Sequence, residues 1–452
     1  MSAEATSARA AARAKRSSVR WVVLGLICAM YLLTYLDRVN ISTAAPVISK
    51  QFGFDKVAMG LILAAFTWSY AIFQVPGGWL GDRFGPRKIL GGLVAFWSIM
   101  TSATVFGSSI GSFWILRFML GVGEAGAFPT ATRAMQNWFT RAERGFAQGL
   151  SHAFSRLGAA VVPPISVWIM ITYGWQAVFW SFGLVGIVWV IVWAVFYRNM
   201  PEDKGILKVN DAELAHLRGV DDKGNIKAME VKVRPTVPWR VLLKHPNMWA
   251  IMIAYFTYVY CLWIFLTWLP SYLVDYRHFS LVAMGFYAAL PLLAGAVGDT
   301  FGGWFTDYLL RKTGRTVFSR RLVAIVGMLG CVIFIVPAAL TDNPLTAVYS
   351  LTASMFFLEC TIGPSWAVPM DVGGEYSGTV SGMMNMGGNI GGAISPMVFG
   401  ILAQYYSWVA PFIVAAALLI IGAAVWAFWL NPEISVVDKG RMVAARTIAG
   451  SR

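Results

Sequence analysis

A chain of 452 residues that is 58% hydrophobic and only 13% charged lacks the polar surface of an ordinary soluble protein, in which roughly a quarter of residues are charged. The formal charge of +14 does not point to nucleic acid, because no basic, aromatic-interleaved soluble stretch accompanies it. What remains is a polytopic membrane protein: backbone groups in hydrocarbon must bond within their own segment, and about 20 mostly apolar residues cross a bilayer as a helix.

The first apolar run begins at Val19 behind a basic leader (Arg9, Arg13, Lys15, Arg16) and continues through Leu36 with no small-residue cleavage site. It is therefore expected to stay as the first helix and not to be removed as a signal peptide. Further runs predict spans at 57–80, 87–106, 112–136, 146–172, 177–198, 248–274, 281–306, 321–341, 345–369, 378–404 and 408–430, after a first at 19–47. The expected fold is all-α, with twelve transmembrane helices in two six-helix, pseudo-symmetric halves. Residues 1–18 form an N-tail, 19–198 the first half, 199–247 a charged central loop, 248–430 the second half and 431–452 a C-tail. Cys28, Cys261, Cys331 and Cys360 all lie inside apolar runs without metal or disulfide spacing, so they read as buried small hydrophobes.

Of the 36 Lys and Arg residues, 30 fall in the two tails and the even-numbered breaks, counting Arg20 with the N-tail. Only Lys50, Lys56 and Arg277 fall in the odd-numbered breaks. Such asymmetry places both termini in the cytoplasm and explains the basic charge by the anionic lipid beside that face. A bacterial inner membrane is the expected location, and the chain is expected to act as a monomer.

Between spans two and three lies Gly78-Trp-Leu-Gly-Asp82-Arg83-Phe-Gly85-Pro-Arg87-Lys88. Its glycines allow a tight turn and close helix approach. Its acid and bases can form a charge cluster that breaks when two halves separate, or serve as a plain anchor. Gly78-x-x-x-Asp82 recurs as Gly303-x-x-x-Asp307, Gly174-Trp175-x-x-x-Phe179 as Ser407-Trp408-x-x-x-Phe412, and Asn199-Met-Pro201-Glu202 as Asn431-Pro432-Glu433. The offsets of 225, 233 and about 231 residues mark an internal repeat, and parallel repeats of this kind belong to transporters with a midplane site between the halves.

Charges inside spans are costly unless paired or hydrated and mark function. Asp37 and Arg38 interrupt span one. Arg117 and Glu124 lie seven residues apart in span four, about two helical turns along one face. A guanidinium there suits a carboxylate substrate through paired bonds, and a carboxylate can hold a proton; a buried salt-bridge lock is the structural alternative. Span five adds His152, Ser155 and Arg156. Arg156 either supplies a second anion contact that favours diacids or pairs with Glu124, and His152 either titrates or is structural. Ser365 and Trp366 in span ten, with Asn385 and Asn389 in span eleven, are candidate hydroxyl-recognising partners. The run Gly387-Gly388-Asn-Ile-Gly391-Gly392 reads as close packing. Asp299 and Glu359 are buried acids without an assignable role.

The 78–88 motif resembles the signature of the major facilitator superfamily, and the twelve spans and the repeat extend that likeness over the whole chain. Tyr35-Leu-Asp37-Arg38-Val-Asn40 and Arg117-x-x-x-Gly121-Val-Gly123-Glu124-Ala125-Gly126-x-x-Pro129 look like its anion:cation symporter branch, which includes bacterial galactonate, glucarate, tartrate and hexuronate carriers. The likeness implies alternating access. By resemblance to the galactonate carrier, Asp37 and Glu124 are the proton-binding carboxylates. Arg117 takes the substrate carboxylate, and Tyr35, Arg38 and Tyr70 line the same cavity. Gly78, Asp82, Arg83, Gly85, Arg87 and Asp307 are assigned to gating. That carrier has a polar amide near Ser155, so Arg156 is a departure.

No phosphate-cradling ATPase loop, catalytic triad or metal-ligand pattern occurs, so the expectation is no enzyme and no cofactor other than protons as the coupling ion. The expected function is proton-coupled import of a small organic anion such as an aldonate, aldarate or hexuronate. The alternatives are a proton-antiporting drug exporter, against which the intramembrane arginines argue, and a transport-dead nutrient receptor.

Overall fold

The computed structural model describes residues 16–219, 239–373 and 377–436. The helices of the first half are α1 (Val19–Phe52), α2 (Lys56–Phe84), α3 (Pro86–Ala103), α4 (Ile110–Ala125), α5 (Ala127–Trp138), α6 (Arg141–Tyr173) and α7 (Trp175–Phe196). The central loop carries α8 (Asp211–Arg218) and α9 (Trp239–Lys244). The second half holds α10 (Pro246–Thr267), α11 (Leu281–Thr313), α12 (Thr316–Leu340), α13 (Pro344–Cys360), α14 (Ile362–Gly373), α15 (Ser377–Tyr405) and α16 (Ala410–Ala424).

Local chemistry sets the helix starts. Asp55 accepts the Ala58 amide at 2.7 Å ahead of α2, Ser280 caps α11, and Asn343 accepts two amides ahead of Pro344 on α13. Ser109 with Ser112, and Thr140 with Glu143, form capping boxes on α4 and α6. At the start of α1, Ser18 makes no side-chain cap. The carboxylate of Glu213 on α8 fills the gap, accepting the amides of Val19 and Arg20 at 3.3 Å and pairing with the Arg20 guanidinium at 3.0 Å. A helix of the central loop thus caps the first membrane helix.

Eleven helical segments are long and apolar enough to cross a membrane among the described residues. The twelfth expected span, 112–136, divides at Gly126 into α4 and α5. The cause is a backbone crossing: a Cβ built on Gly77 would lie 2.5 Å from the Cα of Gly126. The second half repeats the device, since a Cβ on Gly363 would lie 2.5 Å from the Cα of Gly303, and there α13 gives way to α14 at Thr361. Each break is followed by a proline, Pro129 or Pro364, tolerated in a helix's first turn. The internal repeat therefore survives in three dimensions as paired helix crossings.

Within each half the helices pack side by side. Between the halves, α2 lies along α15 and α6 along α11. At the end remote from the described termini, Lys56 on α2 reaches the Ala403 carbonyl and the Gln404 side chain on α15, both at 3.3 Å, and its ammonium sits 5.2 Å above the Trp408 ring. A Cβ on Gly60 would lie 2.6 Å from the Pro396 carbonyl oxygen, so the two backbones are nearly in contact there. The segment Leu269–Ser271 touches α1 at the same end. At the opposite end α5 packs chiefly on α2 and α3, and α14 on α15, α11 and α12, each within its own half.

Candidate functional site

Four charged residues meet inside the first half: Asp37, Arg38, Arg117 and Glu124 are 1%, 7%, 2% and 0% exposed. The pairing differs from what the spacing of span four suggested. Glu124 pairs with Arg38, its Oε2 at 2.8 Å from Nε, while Arg117 donates through Nη1 to the backbone carbonyl of Asp37 at 3.0 Å. Asp37 accepts the Thr101 hydroxyl at 2.9 Å. No carboxylate lies within ion-pair distance of Arg117 among the described residues. Arg117 Nε, Arg38 Nη2 and Glu124 Oε1 are all buried without a hydrogen-bond partner, as is the whole Asn40 amide.

Aromatic rings hold this group together. The Arg38 guanidinium stands 5.0 Å from the Tyr35 ring, 5.3 Å from Phe66, 4.7 Å from Tyr70 and 5.2 Å from Phe128. Arg117 stands 5.2 Å from the Phe66 ring as well. Cations over ring faces are stabilised most where water is excluded, so the cage steadies positive charge while leaving donors unspent. Tyr35 and Tyr70 thus stand against the Arg38 guanidinium. Phe66 and Phe128 were not singled out in the sequence because they are apolar residues in apolar runs. A signal existed: Phe66, Tyr70 and Gln74 recur every four residues, which sets them on one face of α2.

Arg156 on α6 does not pair with Glu124. Its guanidinium crosses between the halves to Glu359 on α13, at 3.0 Å, and Asp299 on α11, at 3.9 Å. It also stands 6.0 Å from the Tyr35 ring. The two acids without an assigned role are therefore its partners.

The remaining candidates are placed less uniformly. Ser155 and Ser365 donate their hydroxyls to carbonyls of their own helices, His152 at 2.6 Å and Thr361 at 2.7 Å. Ser365 lies among Ile251, Tyr255 and Met384 of the second half, away from the charged group. The Trp366 indole donates to the Tyr255 hydroxyl at 3.0 Å, and its ring is 6.5 Å from that of His152. The Asn385 and Asn389 amides donate across the seam to Gln74 at 3.3 and 3.4 Å. His152 contacts the Gln148 amide at 3.1 Å within a cluster of Tyr31 and Phe128 rings.

The loop motifs sit near the ends of helices and make contacts within one half. Gly85 adopts φ 84°, open chiefly to glycine. Arg87 bonds the Asn199 side chain through its backbone and the Ala194 carbonyl through its guanidinium. A Cβ on Gly78 would lie 3.0 Å from Pro129, and Arg83 covers Trp79 and Phe84. The Asp82 side chain falls outside the described residues. Asp307 pairs at 2.9 Å with Arg320, not with the nearby Arg311 or Lys312, and Arg320 also holds Asp371 at 3.2 Å. The four cysteines are free and buried.

Apolar spans, two repeated halves, a charged group buried inside the first and an ion pair joining it to the second define a multi-pass membrane transporter. The sequence profile of the Major Facilitator Superfamily matches residues 27–396, and the chain belongs to that family. It is 41% identical over 423 residues to a Cupriavidus necator protein named "Probable sulfoacetate transporter", covering 93% of this chain and 96% of that one. It is 33% identical to the "Probable galactarate/D-glucarate transporter" of Bacillus subtilis, covering 86% and 87%, and 32% identical to the D-galactonate transporter of Escherichia coli O6:H1, covering 91% and 95%. In fold it resembles a crystal structure of a bacterial homologue of the human lysosomal transporter Spinster in an inward-facing, occupied conformation. That likeness has a TM-score of 0.73 at 18% identity and covers 91% of this chain and 97% of that one. The three sequence relatives are named as transporters of organic anions, and this chain is a transporter and not an enzyme.

Proposed function

We propose that the chain imports a small organic acid together with protons across a bacterial inner membrane, by rocking its two halves about the buried charges. Sugar acids, aldonates or aldarates, are the substrate class, with sulfoacetate the nearest competitor because the 41%-identical relative is named for it. The observation that carries the reading is Arg117: a guanidinium 2% exposed, bonded to a backbone carbonyl and keeping an unused donor. A buried cation without a counterion is expensive. A visiting carboxylate would supply that counterion.

The four charges of the group sum to zero. An added anion makes the sum −1, which low-dielectric surroundings penalise. A proton on Glu124 would restore neutrality and loosen its hold on Arg38, and a proton on Asp37 would do the same beside Arg117. Anion and proton then each favour the other's binding, and linkage makes the effect reciprocal. With the termini in the cytoplasm, contact of the halves at the far end corresponds to the state open inward, from which anion and proton leave. The gating assignments of the 78–88 motif and Asp307 belong to this cycle: their contacts brace each half so that it moves as one body.

Purified protein in proteoliposomes with an imposed inward proton gradient tests the reading. Labelled galactonate, galactarate or sulfoacetate should accumulate, and a protonophore should abolish accumulation. Accumulation of all three that ignores the gradient would rule out proton coupling.

A further inference from the structure

Arg156 is a membrane-buried cation of the first half that spends its charge on two acids of the second, Glu359 and Asp299. A structural lock would satisfy its members. Here Glu359 is 0% exposed and neither of its oxygens makes a well-formed hydrogen bond among the described residues, although Oε2 is 3.0 Å from Arg156. The Tyr258 hydroxyl, from α10, is likewise fully buried, makes no well-formed hydrogen bond and faces Glu359 and Arg156. Glu359 Oε1 and the Tyr258 hydroxyl thus lie buried beside the ion pair without a well-formed hydrogen bond.

The position of the cluster is informative. Arg117 and Arg38 share the Phe66 ring at 5.2 and 5.3 Å, and Arg38 and Arg156 share the Tyr35 ring at 5.0 and 6.0 Å. Shared ring neighbours therefore link the three guanidiniums, Arg117 and Arg38 inside the first half with Arg156 at the seam. Arg38, the neighbour of Arg117, and Arg156 are no more than about 11 Å apart, since both stand against the Tyr35 ring, which puts Arg156 near enough for the far end of a short acid with a charged group at each end.

We infer that Arg156, Glu359 and Asp299 form a second ligand site at the seam, which takes the distal acid group of a substrate carrying two, with Glu359 holding its place when the site is empty. The inference rests on the reading that the Arg117 group binds the first acid group. Its charge balance is explicit. Arg156 faces Glu359 and Asp299, a formal sum of −1, and the other titratable groups around Glu359 are Tyr255 and Tyr258 on α10 and Cys360 on its own helix. An arriving sulfonate or carboxylate takes Arg156 from Glu359. The displaced carboxylate, buried and unpaired, binds a proton from the medium. The distal group therefore carries one proton more than a singly charged substrate does. Because the site draws one member from the first half and two from the second, filling it also alters the contact between the halves.

Calorimetric binding to the full-length protein tests this with matched pairs: galactarate against D-galactonate, and sulfoacetate against glycolate. Titrations in buffers of different ionisation enthalpy count protons. For the pair that binds, the doubly charged member should bind at least 10-fold more tightly and take up one additional proton. The Arg156→Gln/Glu359→Gln double variant removes the closest ion pair and leaves the partly exposed Asp299 as the one remaining acid of the site. It should abolish the extra proton and bring the two members of the pair to equal affinity. Arg156→Lys, which keeps the charge but loses the fork, should weaken the preference partially. Equal affinities within a pair, or a double variant that weakens both members alike, overturns the second site and leaves the Arg117 reading standing. If no member of either pair binds, both fall together.

Discussion

Asp37 and Glu124 are neighbours with different bonds, and substitutions can separate their roles. Asp37→Asn keeps an acceptor for the Thr101 hydroxyl, and Glu124→Gln keeps one for Arg38, so both variants should fold. Each loses the ability to take up and release a proton. Gradient-driven uptake should fall at least 10-fold in both, while exchange of substrate across the membrane, which needs no net proton movement, persists in at least one. Accumulation at the wild-type level in both would remove them from coupling. Arg117→Lys separates charge from shape: a lysine keeps the cation but not the paired donors of a guanidinium. It should weaken binding of carboxylates by about 10-fold or more, equivalent to about 1.4 kcal/mol, read as Kd by calorimetry. At this scale the sequence revealed which residues are charged and submerged, because a lone Asp, Arg or Glu in an apolar run is conspicuous. It did not reveal pairings. Arg38 with Glu124 and Arg156 with Glu359 join residues 86 and 203 positions apart, and no local pattern links them.

Helix boundaries were mostly legible, since apolar length and capping residues are local properties. What was missed is non-local in origin. The break at Gly126 arises from the backbone of α2 crossing it, and the cap on α1 comes from Glu213 nearly two hundred residues away. That cap makes a prediction at the same scale. Glu213→Ala strips two amides of their acceptor and leaves Arg20 without its closest partner, a loss of roughly 3–5 kcal/mol for a buried pair, read as a lower Tm of the purified protein. Glu143 joins the same assembly, 3.0 Å from His216 and 3.5 Å from Arg20. Burial pushes its carboxyl up, but bonds from His216 and Thr140 and the Arg20 charge outweigh that and hold it below the usual value. A depressed carboxyl stabilises the fold above its unfolded value, about 4.3, and that contribution is lost as pH falls through the lower folded value. Tm should therefore drop as pH is lowered past about 4.3, and Glu143→Gln should show a smaller drop.

At the scale of the whole molecule, everything turns on whether the halves move about the seams α2–α15 and α6–α11. The contact at Lys56, Ala403 and Gln404 lies at one end, while Arg156, Glu359 and Asp299 are drawn from spans buried in the membrane-crossing region. If the halves rock, the Lys56 contact must open when the site faces that end. Lys56→Cys combined with Gln404→Cys, bridged by a short bifunctional thiol reagent, fixes the halves in the observed state; the four native cysteines are buried and resist the reagent. Transport across the membrane should fall to background and recover when a reducible bridge is cut. Binding to the bridged protein in detergent should persist within about 2-fold, because in the proposed cycle this is the state from which the site is reached from the side of the termini. A bridged protein that still transports would mean that this contact does not move, and substrate would then have to pass the charged group without any rocking of the halves.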